Sequence, residues 1–160
     1  MRKRHVLRAM ILAFLSLAAW PAALISGQPQ GAPSLSPSVL ISPEELVNAL
    51  KSAPAAKPLV LFVGFQVLYP QAHPPGAEFV GPASREEFLE KLRKLTQPLP
   101  RKKLIVIYCG CCPWDHCPNV KPAYDALHAM GFTNLKALHI ANDFGRDWVD
   151  KGYPVEKGQP

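Results

Sequence analysis

The sequence predicts an α/β fold in which helices flank a mainly parallel central sheet, and three observations carry that prediction. Leu59 to Val63 and Leu104 to Tyr108 are continuous apolar runs, the pattern of strands covered on both faces. Segments with apolar residues at helical spacing lie between such runs. Helix-start and helix-stop residues punctuate those segments at the right places. Strands alternating with helices in this way build βαβ units around a parallel sheet.

Taken in order, Ser42-Pro43-Glu44-Glu45 reads as a capping box: serine as the cap, proline in the first turn and glutamate three residues on. Leu46, Val47 and Leu50 then supply a short apolar face. Leu59 to Val63 follows Pro58 as a buried strand. Residues 64–83 hold four prolines and no period, so a long loop is expected there. Ser84-Arg85-Glu86-Glu87 repeats the capping box ahead of Phe88, Leu89, Leu92 and Leu95. Leu104 to Tyr108 is the second strand. Asn119 is expected to cap a third helix that tolerates Pro122 in its first turn and stops at Gly131. Leu135 to Ile140 reads as the third strand.

The chain has 160 residues with 18 basic and 12 acidic side chains, a length suited to one domain and a composition that excludes collagen, long coiled coils and wholesale disorder. Arg2, Lys3, Arg4 and Arg8 precede the apolar run Ala9 to Trp20, which is short of the roughly 20 residues that span a bilayer. Residues 1–27 therefore read as a signal peptide for export to the periplasm or the medium, with an uncleaved signal anchor as the alternative. Removing them takes away four basic residues and no acidic ones, which leaves 14 against 12, a net charge of +2. Nucleic-acid binding is not expected from that balance. No stable membrane span is expected after signal removal, and no oligomeric state follows from the pattern. Residues 28–38 are rich in Pro, Ser and Gly and read as a tether, with the folded domain at 39–160.

All four cysteines lie between Cys109 and Cys117. Cys109 is the first residue beyond the second strand, and its loop ends at a helix start. Ligands bind beyond the carboxyl ends of such strands. Helix N–H groups and the helix dipole favour negative charge, so a thiol there falls below its ordinary value of ~8.5 and becomes a nucleophile able to carry a persulfide. The pattern Cys-x-Cys-Cys-x4-Cys, with His116 beside the last cysteine, offers five soft ligands in nine residues: Cys109, Cys111, Cys112, His116 and Cys117. Such ligands suit Cu(I) or Zn(II). Two other accounts stand beside a metal site. Cys111, Cys112 and Cys117 are able to resolve or modify a persulfide or sulfenate on Cys109, a thiol chemistry that requires no cofactor. Alternatively, a disulfide such as Cys112 to Cys117 staples the loop. Gly110 and Trp114 are expected to support the loop, with Trp114 shielding the sulfur from water. Arg146 lies after the third strand, on the same sheet edge as Cys109.

Six further pieces agree in order and spacing. They are Ile41-Ser42-Pro43-Glu44-Glu45-Leu46, the run Leu59 to Val63, His73-Pro74-Pro75-Gly76-Ala77, Val106-Ile107-Tyr108-Cys109, Ala129-Met130-Gly131-Phe132-Thr133-Asn134-Leu135, and Phe144-Gly145 to Trp148 with Lys151-Gly152-Tyr153-Pro154-Val155-Glu156. Together they resemble the rhodanese-like domain family. The resemblance implies that Cys109 accepts a sulfane sulfur from a small donor such as thiosulfate, and that a thiol acceptor then removes it. It also marks departures. The family's short C-x-x-x-x-R loop is about five residues longer here, and Asn119 stands where its arginine would be. Pro113 and Pro118 remove two N–H donors from the loop. Arg146 is the candidate replacement for the missing cation.

Overall fold

The computed structural model describes residues 35–159. The signal-peptide reading and most of the tether reading fall outside the described residues. Among the described residues, no helix is long and apolar enough to cross a membrane.

Five parallel strands form one sheet: β1 (Leu40–Ile41), β2 (Leu59–Phe62), β3 (Ala77–Phe79), β4 (Ile105–Tyr108) and β5 (Leu135–Leu138), in the spatial order β1-β5-β4-β2-β3. Three helices cover it: α1 (Pro43–Leu50), α2 (Phe88–Thr96) and α3 (Val120–Ala129). This is the predicted α/β architecture. The continuous apolar runs have the predicted cause, because all four residues of β4 are buried. Alternation along β4 sends Ile105 and Ile107 to the face packed by Phe88 and Leu92 of α2 and by Val120, Ala123 and Leu127 of α3. Val106 and Tyr108 go to the other face, with Leu46 and Val47 of α1 and with Phe144 and Trp148 from the C-terminal segment. Trp148 is fully buried, and its indole N–H donates to Pro154 O at 2.9 Å.

The first capping box forms as predicted. Glu45 N–H donates to Ser42 Oγ at 3.1 Å, and Ser42 N–H donates to Glu45 Oε2 at 2.7 Å. At the other end of the fold, Gly131 stops α3 with φ +88°, Gly131 N–H donating to His128 O and Phe132 N–H to Leu127 O. That pair of bonds is the Schellman arrangement, which asks for a left-handed residue at this position.

Two expectations are corrected. The stretch read as a long loop, 64–83, contains the edge strand β3 and a single 3-10 turn at Gln66–Leu68. β3 is only three residues long between Gly76 and a Pro-Gly-rich exit, too short to show a period. Like it, the two-residue β1 leaves no pattern in the sequence. The second capping box does not form: Ser84 to Glu87 lies in turns, and α2 begins at Phe88 with no side-chain cap from Glu87. There the backbone supplies the bonds instead, Arg85 N–H to Pro82 O and Phe88 N–H to Arg85 O. The packed region also reaches back beyond Val39, since Leu35 joins the core on the α2–α3 face.

Candidate functional site

The chain leaving β2 runs to β3 on one side, and the chain leaving β4 runs through α3 to β5 on the other. Adjacent strands whose connections diverge open a crevice at their carboxyl ends. Cys109 stands there as the first residue past β4. The alternation of β4 carries it to the α2–α3 face, where it is 3% exposed. Val63 N–H donates to Tyr108 O at 2.8 Å, so the two strands stay paired up to the loop. Gly64 lies so close to this loop that a Cβ would stand 2.3 Å from Cys109 O. Gly110, at φ +86°, then turns the chain, and its carbonyl accepts from Phe144 N–H at 3.0 Å. Trp114 N–H donates to Ile140 O at 2.9 Å, which ties the middle of the loop to the segment just past β5.

This path gathers the thiols, all four of which are free. Cys109 Sγ is 3.3 Å from Cys111 Sγ, which is 3.3 Å from Cys112 Sγ. The sulfurs of Cys109, Cys112 and Cys117 all lie within 4.8 Å of one another. Asn119 Nδ2 donates to Cys109 Sγ at 3.6 Å, while Asn119 Oδ1 accepts from Ala83 N–H at 3.0 Å. Asn119 is thus at the cap position predicted for α3 but makes no side-chain cap bond. Its amide is held between Ala83 and the sulfur.

These neighbours set the charge state. The Cys117 thiol contributes most, and with the Asn119 amide, the Cys111 thiol and the Cys111 N–H it outweighs burial and lowers the Cys109 thiol to about 6. Cys117 moves the opposite way, pushed up chiefly by the bond its proton makes to Cys109, although the N–H groups of Asn119 and Val120 pull against that. Cys111 is also pushed up, by burial first and then by Cys112 and Cys109. The arrangement is one thiolate surrounded by thiols that keep their protons.

No protein-family model matches the sequence, and no curated protein does. Solved structures do resemble it. The rhodanese-like domain of Alr3790 from Anabaena sp. superposes with a TM-score of 0.52 at 18% identity, over 75% of this chain and 80% of that one. A Bacillus halodurans protein, BH2092, gives 0.55 at 21% identity, over 75% and 77%. The thiosulfate sulfurtransferase of Pseudomonas aeruginosa gives 0.56 at 20% identity, over 82% of this chain but only 21% of that larger one. The fold is rhodanese-like.

Within this rhodanese-like fold, the partners that stabilise the Cys109 thiolate are thiols, one amide and one backbone N–H, none of them a cation. Arg146 is exposed and pairs with Asp143, Nε to Oδ2 at 3.5 Å. His116 is exposed, with Nδ1 2.8 Å from Asp115 Oδ1, and it stands outside the converging sulfurs. Of the five soft ligands in the sequence pattern, the fold therefore brings three sulfurs mutually within 4.8 Å, sets Cys111 against two of them and leaves His116 apart. Trp114 is half-buried and packs against the α2–α3 core, its ring centroid 6.5 Å from that of His139. His73 is buried and structural: its backbone pairs with Glu156 in both directions, and its ring stacks on Tyr69 at 3.9 Å.

A cavity of about 450 Å³ opens on the other side of the loop, walled by Phe62, Leu68, Ala72, Phe144 and Val149, with Gly110 and Cys111 at its edge. Cys111 is the one cysteine that lines it, so this thiol faces the space a small molecule would fill while its sulfur touches Cys109. Sequence reasoning missed this cavity, because Leu68 and Ala72 fall in the stretch read as loop. It also missed Ala83, whose only contribution is a backbone N–H that no residue type announces.

Proposed function

We propose that the chain is an exported rhodanese-like protein that takes a sulfane sulfur onto Cys109 and passes it to a thiol acceptor. The single observation that carries this reading is the placement of Cys109. Its sulfur lies at the carboxyl end of a central strand, at the crevice of the sheet, among donors from Cys111, Cys117 and Asn119. In the first step the Cys109 thiolate attacks the outer sulfur of a donor persulfide, R–S–SH. The donor S–S bond breaks, and R–S leaves with the electron pair and is protonated. In the second step an acceptor thiolate attacks the outer sulfur of the Cys109 persulfide, and Cys109 departs as the thiolate it was. No net oxidation occurs in either step, so no cofactor is needed.

The donor class follows from charge. Thiosulfate is a dianion, and taking it out of water without a cationic partner is costly. The Cys109 surroundings supply none, so a neutral or singly charged persulfide or polysulfide is the donor. The resemblance to a thiosulfate sulfurtransferase supports sulfur chemistry on this fold and says nothing of this donor. Export rests on Arg2, Lys3, Arg4 and Arg8 ahead of Ala9 to Trp20.

The test is cyanolysis. Reduced protein is incubated with glutathione persulfide or with thiosulfate, desalted and treated with cyanide. Persulfide yields thiocyanate in one equivalent per chain, thiosulfate yields little, and Cys109→Ser yields none. Thiocyanate from Cys109→Ser at the parent level overturns the nucleophile; equal loading from thiosulfate overturns the donor class alone.

A further inference from the structure

Cys109, Cys112 and Cys117 enter the cluster from the end of β4, the middle of the loop and the turn before α3, yet their sulfurs lie within 4.8 Å of one another. Three thiolates around a metal ion at metal–sulfur distances of about 2.3 Å are about 4 Å apart in a trigonal plane. A small inward movement of the half-buried Cys112 closes the set, because Cys109 and Cys117 are fixed in the core.

Donors are already arranged around these sulfurs. Asn119 Nδ2 and the Cys111 N–H face Cys109, and the N–H groups of Asn119 and Val120, at the start of α3, face Cys117. Hydrogen bonds of this kind orient metal-bound thiolates and offset their charge. The only imidazole in the loop, His116, is turned outward to Asp115. Cys111 is exposed at the edge of the cavity; its sulfur touches Cys109 and Cys112, 3.3 Å from each, but does not close on Cys117. What remains is three soft sulfur ligands with no nitrogen or oxygen fourth. Zn(II) in a structural site takes four ligands, whereas a soft monovalent ion is satisfied by thiolates alone.

We propose that Cys109, Cys112 and Cys117 form a three-thiolate site for Cu(I). All three sulfurs bind as thiolates, so binding releases the protons that the thiols still hold, and it involves no change of oxidation state when copper is supplied as Cu(I). Because Cys109 is a member, bound copper and a Cys109 persulfide exclude each other. The site itself asks only for three thiolates and does not depend on the sulfur-transfer reading.

The experiment is an anaerobic titration of the fully reduced protein with Cu(I), in competition with bicinchoninate. One Cu(I) per chain is expected. Cys112→Ser and Cys117→Ser each weaken binding by more than the 10–100-fold that altering a supporting hydrogen bond costs, Cys111→Ser weakens it by less than either, and His116→Ala leaves it unchanged. X-ray absorption of the loaded protein shows three sulfur neighbours and no nitrogen, which reads the site even where a variant unfolds. Copper not retained, a nitrogen neighbour, a loss from Cys111→Ser equal to that from Cys112→Ser, or Zn(II) held as tightly as Cu(I) each overturns the assignment. Cys112→Ser separates the two readings, since it loses copper yet still takes sulfur on Cys109. Parent protein that binds copper and never takes sulfur sinks only the transfer reading.

Discussion

The Cys109 thiol is lowered by uncharged neighbours. A thiol ordinarily titrates near 8.5, and the usual means of lowering it is a nearby cation or a metal. Here the Cys117 thiol leads, with Asn119 and Cys111 behind it, and the value falls to about 6. In metal-free protein the thiolate fraction, and with it the rate of alkylation by iodoacetamide, rises with pH to a half-maximum near 6 and is lost as pH falls through that value. Cys117→Ala raises the midpoint toward the ordinary thiol range, and by more than Asn119→Ala does. A parent profile centred near 8.5 contradicts the account. This ordering is not legible in the residue types. Asn119 reads from sequence as a helix cap, and its position is right. Its role differs because the Ala83 N–H and the Cys109 sulfur compete for its side chain, and both partners are distant in the chain.

At the level of elements, the site is a strand end, a loop and a helix start locked against β2. Gly64 makes that lock, since a Cβ would fall 2.3 Å from Cys109 O. Gly64→Ala is therefore expected to cost about 1–3 kcal/mol, as overpacking does, and to lower sulfur loading by displacing the Cys109 carbonyl. Ser42→Ala removes the capping box of α1 at a similar cost of about 0.5–2 kcal/mol, but its bonds stay within α1 and sulfur loading is unchanged. Thermal unfolding and cyanolysis of both variants check this; equal losses of loading would show that Gly64 acts through stability alone. The long strands and α1 were legible because buried apolar runs and a reciprocal cap are local signals. β1 and β3 were not, because two or three residues carry no period and their pairing is decided by partners elsewhere in the sheet. Ser84 to Glu87 carries the residues of a capping box without forming one, since the chain there is held in turns by Arg85 N–H to Pro82 O and Phe88 N–H to Arg85 O and the helix starts only at Phe88.

For the whole molecule, six short pieces in order were enough to indicate the rhodanese-like fold, because they fall on β2, on the approaches to β3 and β5, on the exits of β1 and β4 and on the C-terminal segment packed against the sheet. The convergence of Cys109, Cys112 and Cys117 was not contained in their spacing. A linear pattern offers five ligands, and only the turn at Gly110 and the tie from Trp114 to Ile140 decide which sulfurs meet. The charge of the chain is likewise a property of its parts, with the basic excess concentrated in the first 27 residues and little left on the folded region. The proposed sulfur transfer is tested most directly by intact-mass measurement of the reduced protein after exposure to glutathione persulfide. One added sulfur atom per chain is expected, located on Cys109, removed by cyanide and absent from Cys109→Ser. No added sulfur on the parent protein, or the same addition on Cys109→Ser, would contradict that transfer.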